Sequence, residues 1–189
     1  MDAFATYSDL EARLNRVFSV EEQAWITTLL EDASTYLRDD VIGLQVYPQS
    51  EVTFSAWPSN GEVVLPQQPV ISVDTVVQDS VAVDFTLRDG VLFLGSHDCD
   101  LPVDVTFTFG YADAPESLKR WACVLVSQAL VPVELGLGLT VGGLSSVALD
   151  DFKAAFADAG ESTGIALSDR NIGLIRAQYN SGVYVGGSR

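Results

Sequence analysis

The sequence predicts an α+β fold: an N-terminal helical pair, an inserted antiparallel β-meander, and further helices that pack with the first pair into a small helical bundle. Three observations predict it. Apolar residues recur at helical spacing over the first 45 positions, at a period of two from Ser50 to Phe109, and at helical spacing again beyond Asp113. With 189 residues, 48% of them hydrophobic, and a mean hydropathy of +0.23, the chain has enough apolar material for a real core. The expected organisation is a single domain over 1–180, with a helical core from 1–45 and 113–180. Residues 50–111 are its β-rich elaboration, and 181–189 form a flexible C-terminal tail.

Thr6 is placed to cap the first helix, with Asp9 three residues later in the first turn, where negative charge is favoured. Tyr7, Leu10, Leu14 and Val17 supply its apolar stripe. Ser19 and Glu22 have capping-box spacing for a second helix. The stripe of that helix is Ile26, Leu30, Ala33, Leu37 and Val41.

The strand region comes next. Val52, Phe54 and Ala56 alternate with polar residues, as do Ile71, Val73, Thr75 and Val77, and then Val81, Val83, Phe85 and Leu87. Asp89-Gly90 is a hairpin turn signal before Val91-Leu92-Phe93-Leu94, and Val103, Val105, Phe107 and Phe109 close the series. About five strands are expected, twisted into a small sandwich or open barrel. Pro58, Pro66, Pro69 and Pro102 fall between strands.

A third helix is expected from Asp113 and Glu116, with Pro115 in its first turn and Pro132 as its end. Leu118, Trp121, Ala122, Leu125 and Ala129 build its core face. A glycine-rich apolar stretch spans 136–143. A short helix is expected around Asp150 to Ala159, and a last one from Ser168-Asp169 carrying Ile172, Ile175 and Tyr179.

Composition narrows the chemistry. The net charge of −16 argues against wrapping nucleic acid, which needs Lys and Arg at the phosphates. The charge is uneven: residues 1–113 hold 19 Asp/Glu against 4 Lys/Arg, whereas 114–189 hold 7 against 6. An acidic surface of this kind serves solubility, or keeps a protein near DNA without adhesion. No apolar run reaches membrane-spanning length and the start carries no secretory pattern, so a cytoplasmic, non-membrane protein is expected.

His97 is the single histidine, so any Ser-His-Asp or Cys-His system would have to use it. It lies in His97-Asp98-Cys99-Asp100, four metal-type ligands in a row. Neighbours along a strand point to opposite faces, so the expected state is a solvated turn. Cys99 and Cys123 are too far apart in sequence for a Cys-x-x-Cys motif, and Cys123 sits in an apolar run as a buried small hydrophobe. The segment 136–143 lacks the Gly-Lys-Ser/Thr ending of a phosphate loop. Its residues Leu137, Leu139 and Val141, with Leu144, suit either a flexible loop or an assembly loop that orders against a neighbour. Asp39-Asp40 and Asp150-Asp151 are adjacent pairs that do not converge on one bond. Trp25 and Trp57 are either core aromatics or interface anchors. The expectation is a protein with no active site, metal or cofactor.

The opening Tyr7-Ser8-Asp9-Leu10-Glu11-Ala12-Arg13-Leu14 resembles the head-to-tail adaptor, or head-tail connector, family of long-tailed bacteriophages. The later pieces are similar in the same order: Leu29 to Ser34 with Leu37-Arg38, then Gly110-Tyr111 through Pro115, Leu118-Lys119 and Ala122, then Leu167-Ser168-Asp169 with Leu174-Ile175-Arg176 and Tyr179. The length of the strand region and the stretch 145–167 depart from the family pattern. The resemblance implies a non-catalytic virion subunit at the capsid–tail junction, assembled in the host cytoplasm. Its copies, about twelve, would form a ring through heterologous contacts. The ring would bind the portal protein, extend the channel for double-stranded DNA and dock a stopper or tail protein. On this reading Val183-Tyr184-Val185 add a strand to a sheet edge of the portal, and carboxylates of 1–113 line the channel. The alternatives are another neck protein, such as a stopper or tail terminator, and a carbohydrate- or small-ligand-binding module using Trp57.

Overall fold

In chain order the elements are α1 (Tyr7–Leu14), α2 (Val20–Thr35, continued by a π-helical segment Tyr36–Ile42), β1 (Ser50–Ala56), β2 (Glu62–Val64) and β3 (Val70–Gln78). Next come β4 (Val81–Ala82), β5 (Phe85–Arg88), β6 (Val91–Leu94), β7 (Val103–Phe109) and α3 (Glu116–Glu134). The last are β8 (Ser146–Leu149), β9 (Phe152–Ala155) and α4 (Asp169–Tyr179). This computed structural model describes residues 2–134, 146–149, 152–155 and 167–180. It is a mixed α and β protein whose chain divides into two compact units, one of 3–34 with 116–171 and one of 35–115 with 172–189.

In the first unit the expected Ser19–Glu22 capping box forms, and the Thr6 cap proves to be a full capping box with Asp9. The Thr6 hydroxyl accepts the Asp9 N–H at 3.2 Å, and the Asp9 carboxylate accepts the Thr6 N–H at 2.8 Å. Ser19 and Glu22 make the same exchange at 3.3 and 2.8 Å. These bonds satisfy amides that the first helical turn leaves without partners. Partial burial pushes the Asp9 carboxyl up, but the bonds from Thr6 and the charges of Lys119 and Arg13 outweigh it and hold it low. Glu22 is held low by the Ser19 N–H and hydroxyl, with Arg16 adding to them.

Helix α1 is shorter than its apolar stripe. Asn15 takes a left-handed conformation (φ +50°) and ends it, so Val17 lies beyond the helix and is exposed instead of buried. The α2 stripe is buried throughout, with Leu37 and Val41 carried on the π-helical segment. Phe4 is buried too, and its N–H reaches the Ser34 hydroxyl at 2.8 Å. On α3, Leu118, Ala122, Leu125 and Ala129 are buried and Trp121 is half-buried. The helix starts at Glu116, one residue after Pro115, and runs past Pro132 to Glu134. Proline removes one rung of the ladder, and the helix continues past it through Glu134. The helix expected at 150–159 is absent where described: β8 and β9 pair antiparallel from Ser146↔Ala155 to Leu149↔Phe152.

In the second unit the strands form a four-stranded sheet, β1-β7-β3-β4, and a three-stranded sheet, β2-β6-β5, all antiparallel. The expected five-strand meander is therefore replaced by seven strands in which β7 enters between β1 and β3. Val103, Val105, Phe107 and Phe109 bury as expected, and with Val63, Leu65, Val76, Val83 and Leu92 they make one core cluster drawing on both sheets. Phe107 meets Phe54 edge-on at 5.7 Å between ring centroids.

Three two-residue turns with both residues at positive φ connect this unit: Asn60-Gly61, Asp79-Ser80 and Asp89-Gly90. Such turns match the right-handed twist of paired strands. Strand β3 departs from simple alternation. Register shifts at Val70/Ser72 and Val73/Thr75 add unpaired residues, and each one reverses the facing of the residues beyond it. Hence Val76 and Gln78 are buried, whereas Ile71 and Thr75, expected inside, are exposed. Val81 is likewise exposed, and Phe85 and Leu87 lie on an edge strand.

Candidate assembly surface

The outer face of the four-stranded sheet is set by its register. Because directly paired residues share a face, Glu51–Thr108–Ser72 and Thr53–Thr106–Thr75 form rows across β1, β7 and β3, and Ser55–Asp104 begins a third. Thr53 and Thr106 hydroxyls lie 2.8 Å apart, and the Ser55 hydroxyl donates to the Asp104 carboxylate. Asp74, at the bulge, accepts from the Thr108 hydroxyl at 3.2 Å and from Ser72 at 3.2 Å. The face thus carries Glu51, Asp74 and Asp104 among hydroxyls. None of the four strands contains a Lys, Arg or His.

The His97 segment is a loop, not a strand, between β6 and β7. Gln78, which sequence reasoning missed, organises it. Its amide nitrogen donates to the Asp98 and Leu101 carbonyls at 2.8 and 2.9 Å, and its oxygen accepts the Asp98 N–H at 2.7 Å. His97 Nδ1 lies 2.9 Å from the Gly95 carbonyl and Nε2 lies 3.7 Å from Cys99 Sγ. The Asp98 carboxylate instead accepts the Asp100 N–H at 2.9 Å. His97 and Cys99 thus approach one another, and the two aspartates do not join them. Among the described residues no group of three or more His, Cys, Asp or Glu is placed to hold a metal ion. Cys99 is exposed; Cys123 is buried, and burial pushes its thiol up.

Of the residues singled out in the sequence, Leu137, Leu139, Val141 and Leu144 lie outside the described residues, as do Val183, Tyr184, Val185 and the pair Asp150-Asp151. Asp39 and Asp40 are exposed on the π-helical segment. Trp57 is 66% exposed just past the end of β1 and is not a core aromatic; Trp25 is half-buried. At the turn between α1 and α2, Val17 and Val20 are 85% and 82% exposed.

These features define a mixed α and β protein with an acidic, hydroxyl-rich sheet face. No family model matches the chain, and no curated protein matches it. Among the described residues no helix is long and apolar enough to cross a membrane.

Proposed function

We propose that the chain is a structural subunit of a bacteriophage neck, whose copies form a ring beneath the portal, extend the DNA channel and dock the tail or the next neck protein. In this reading the helices of 1–45 and 113–180 build the adaptor bundle and 50–111 elaborate it. The observation that carries the reading is the outer face of the four-stranded sheet, with three carboxylates and no cation on its strands. Phosphates are bound by Lys and Arg and repelled by carboxylates, so such a face lets DNA slide past without holding it. The order of the adaptor-like segments along the chain supports the same reading. Leu137, Leu139, Val141 and Leu144 are assigned to contacts between copies, and Val183-Tyr184-Val185 to the portal.

The test is negative-stain imaging of the purified chain mixed with a portal protein from the same source. The expected result is a portal lengthened by a second ring. The absence of any complex, or a ring whose lumen is uncharged or basic, would overturn the proposal. Deleting 181–189 is expected to abolish portal binding while leaving the fold intact.

A further inference from the structure

The four-stranded sheet ends on one side in β4, two residues long, and on the other in β1, seven residues long. Proteins protect long edges with proline, lysine, bulges or a covering element. Strand β1, Ser-Glu-Val-Thr-Phe-Ser-Ala, has neither proline nor lysine, and it pairs with β7 in unbroken register. Among the described residues no strand pairs with its other side. The edges of the second sheet are shorter, three residues in β2 and four in β5, and β5 ends in Arg88.

The side chains of β1 match its open position. Val52, Phe54 and Ala56 face the core, but each is only half-buried, whereas their β7 neighbours Val103, Val105 and Phe107 are fully buried. Apolar surface is therefore left at the rim of the core, on the side where one more strand would lie. On the other face Glu51, Thr53 and Ser55 are exposed, with Asp104 beside Ser55 and no positive charge on the sheet.

We propose that the open edge of β1 is a docking site for an extended segment of a partner protein that alternates apolar residues with Lys or Arg. Such a segment continues the antiparallel ladder, places its apolar residues against Val52, Phe54 and Ala56, and sets its cations over Glu51 and Asp104. Main-chain hydrogen bonds give the affinity and the alternating side chains give the selectivity. The proposal does not depend on the neck reading, because it names an edge and a chemistry, not an assembly.

The test uses the full chain and three nine-residue peptides: one alternating valine and lysine, one alternating valine and glutamate, and one with all valines preceding all lysines. Titration calorimetry and amide exchange are the readouts. The alternating valine–lysine peptide is expected to bind at least about tenfold more tightly than either control at low salt. It should slow exchange at outward amides of 51–56. Glu51→Lys, at an exposed position, is expected to keep the fold and shift the preference toward the glutamate peptide. Thr53→Pro is expected to abolish binding, with thermal unfolding as its folding control. Equal affinity for all three peptides, no affinity for any, or no change in exchange within β1 would overturn the proposal. So would a peptide that binds only after 181–189 are deleted, which would give the edge to the chain's own tail. A concentration-dependent dimer lost in Thr53→Pro would give it to a second copy.

Discussion

Gln78 and Asp98 exchange a pair of hydrogen bonds, the side-chain amide of one closing a ring with the backbone of the other at 2.7 and 2.8 Å. A buried glutamine therefore does for the 95–101 loop what a strand partner would do for a strand.

Gln78→Leu keeps the volume and leaves the amide of Asp98 and two carbonyls without partners. Unsatisfied buried groups cost about 1–3 kcal/mol each when water cannot reach them. The loop is near the surface, so the expected loss is about 2–4 kcal/mol in all. Thermal unfolding checks this, together with faster proteolysis between residues 95 and 101. An unchanged melting temperature would show that Gln78 is not the clamp.

The two capping boxes predict acid sensitivity of definite sign. Asp9 and Glu22 both titrate below their ordinary values, so the stability they add is present above the unfolded-state values of about 4. It is lost as pH falls through the lower folded-state values. Helical circular dichroism should decline on acidification below about pH 4. Thr6→Ala and Ser19→Ala should each cost about 1 kcal/mol at neutral pH. In the double variant the acid-dependent loss should flatten.

Gly61 holds φ +79°, and a Cβ there would lie 3.3 Å from His97 Cε1. Gly61→Ala should therefore cost about 1–2 kcal/mol in backbone strain. Asn60→Gly, at φ +54°, should be nearly neutral. Equal costs at the two positions, measured by chemical unfolding, would refute the turn geometry.

Arg176 donates to the carbonyls of Val41 and Asp40 at 2.8 and 3.0 Å, and Asn180 donates to that of Ile42 at 2.9 Å. These carbonyls close the π-helical segment, whose end lacks further intrahelical donors. Arg176→Met should destabilise by about 1–3 kcal/mol, and Arg176→Lys by less, since one donor remains. Hydrogen exchange of α4 would report the release directly.

The cation-free sheet face predicts weak interaction with DNA. The native chain should not retard a DNA duplex on a gel at about 50 mM salt. A variant carrying Glu51→Lys, Asp74→Lys and Asp104→Lys should retard it and release it by about 200 mM. Retention by the native chain would remove the support this face gives to the neck reading.

Short-range features were legible in the sequence. Thr6 with Asp9, Ser19 with Glu22, the α2 stripe, Asp89-Gly90 and the last helix are set by residues one to four apart, where identity and spacing fix the hydrogen bond or the buried face. An Asn-Gly pair such as Asn60-Gly61 is among the strongest hairpin signals, but β2 beyond it is too short to show a period of two. The sequence also carried the charge asymmetry and the alternating faces of β1 and β7.

Tertiary structure alone decided the rest. The entry of β7 between β1 and β3 depends on residues tens of positions apart, and both bulges of β3 were settled by pairing to β7. A period-two pattern has no memory of an inserted residue, so it places Ile71 and Thr75 inside and gives no sign that Gln78 is buried. The acidic face exists only because strand order sets Glu51 and Asp74 on either side of Thr108, and the open edge exists because β1 stands at one end of that order. Composition supplied the carboxylates; pairing over long sequence distances gathered them on one surface.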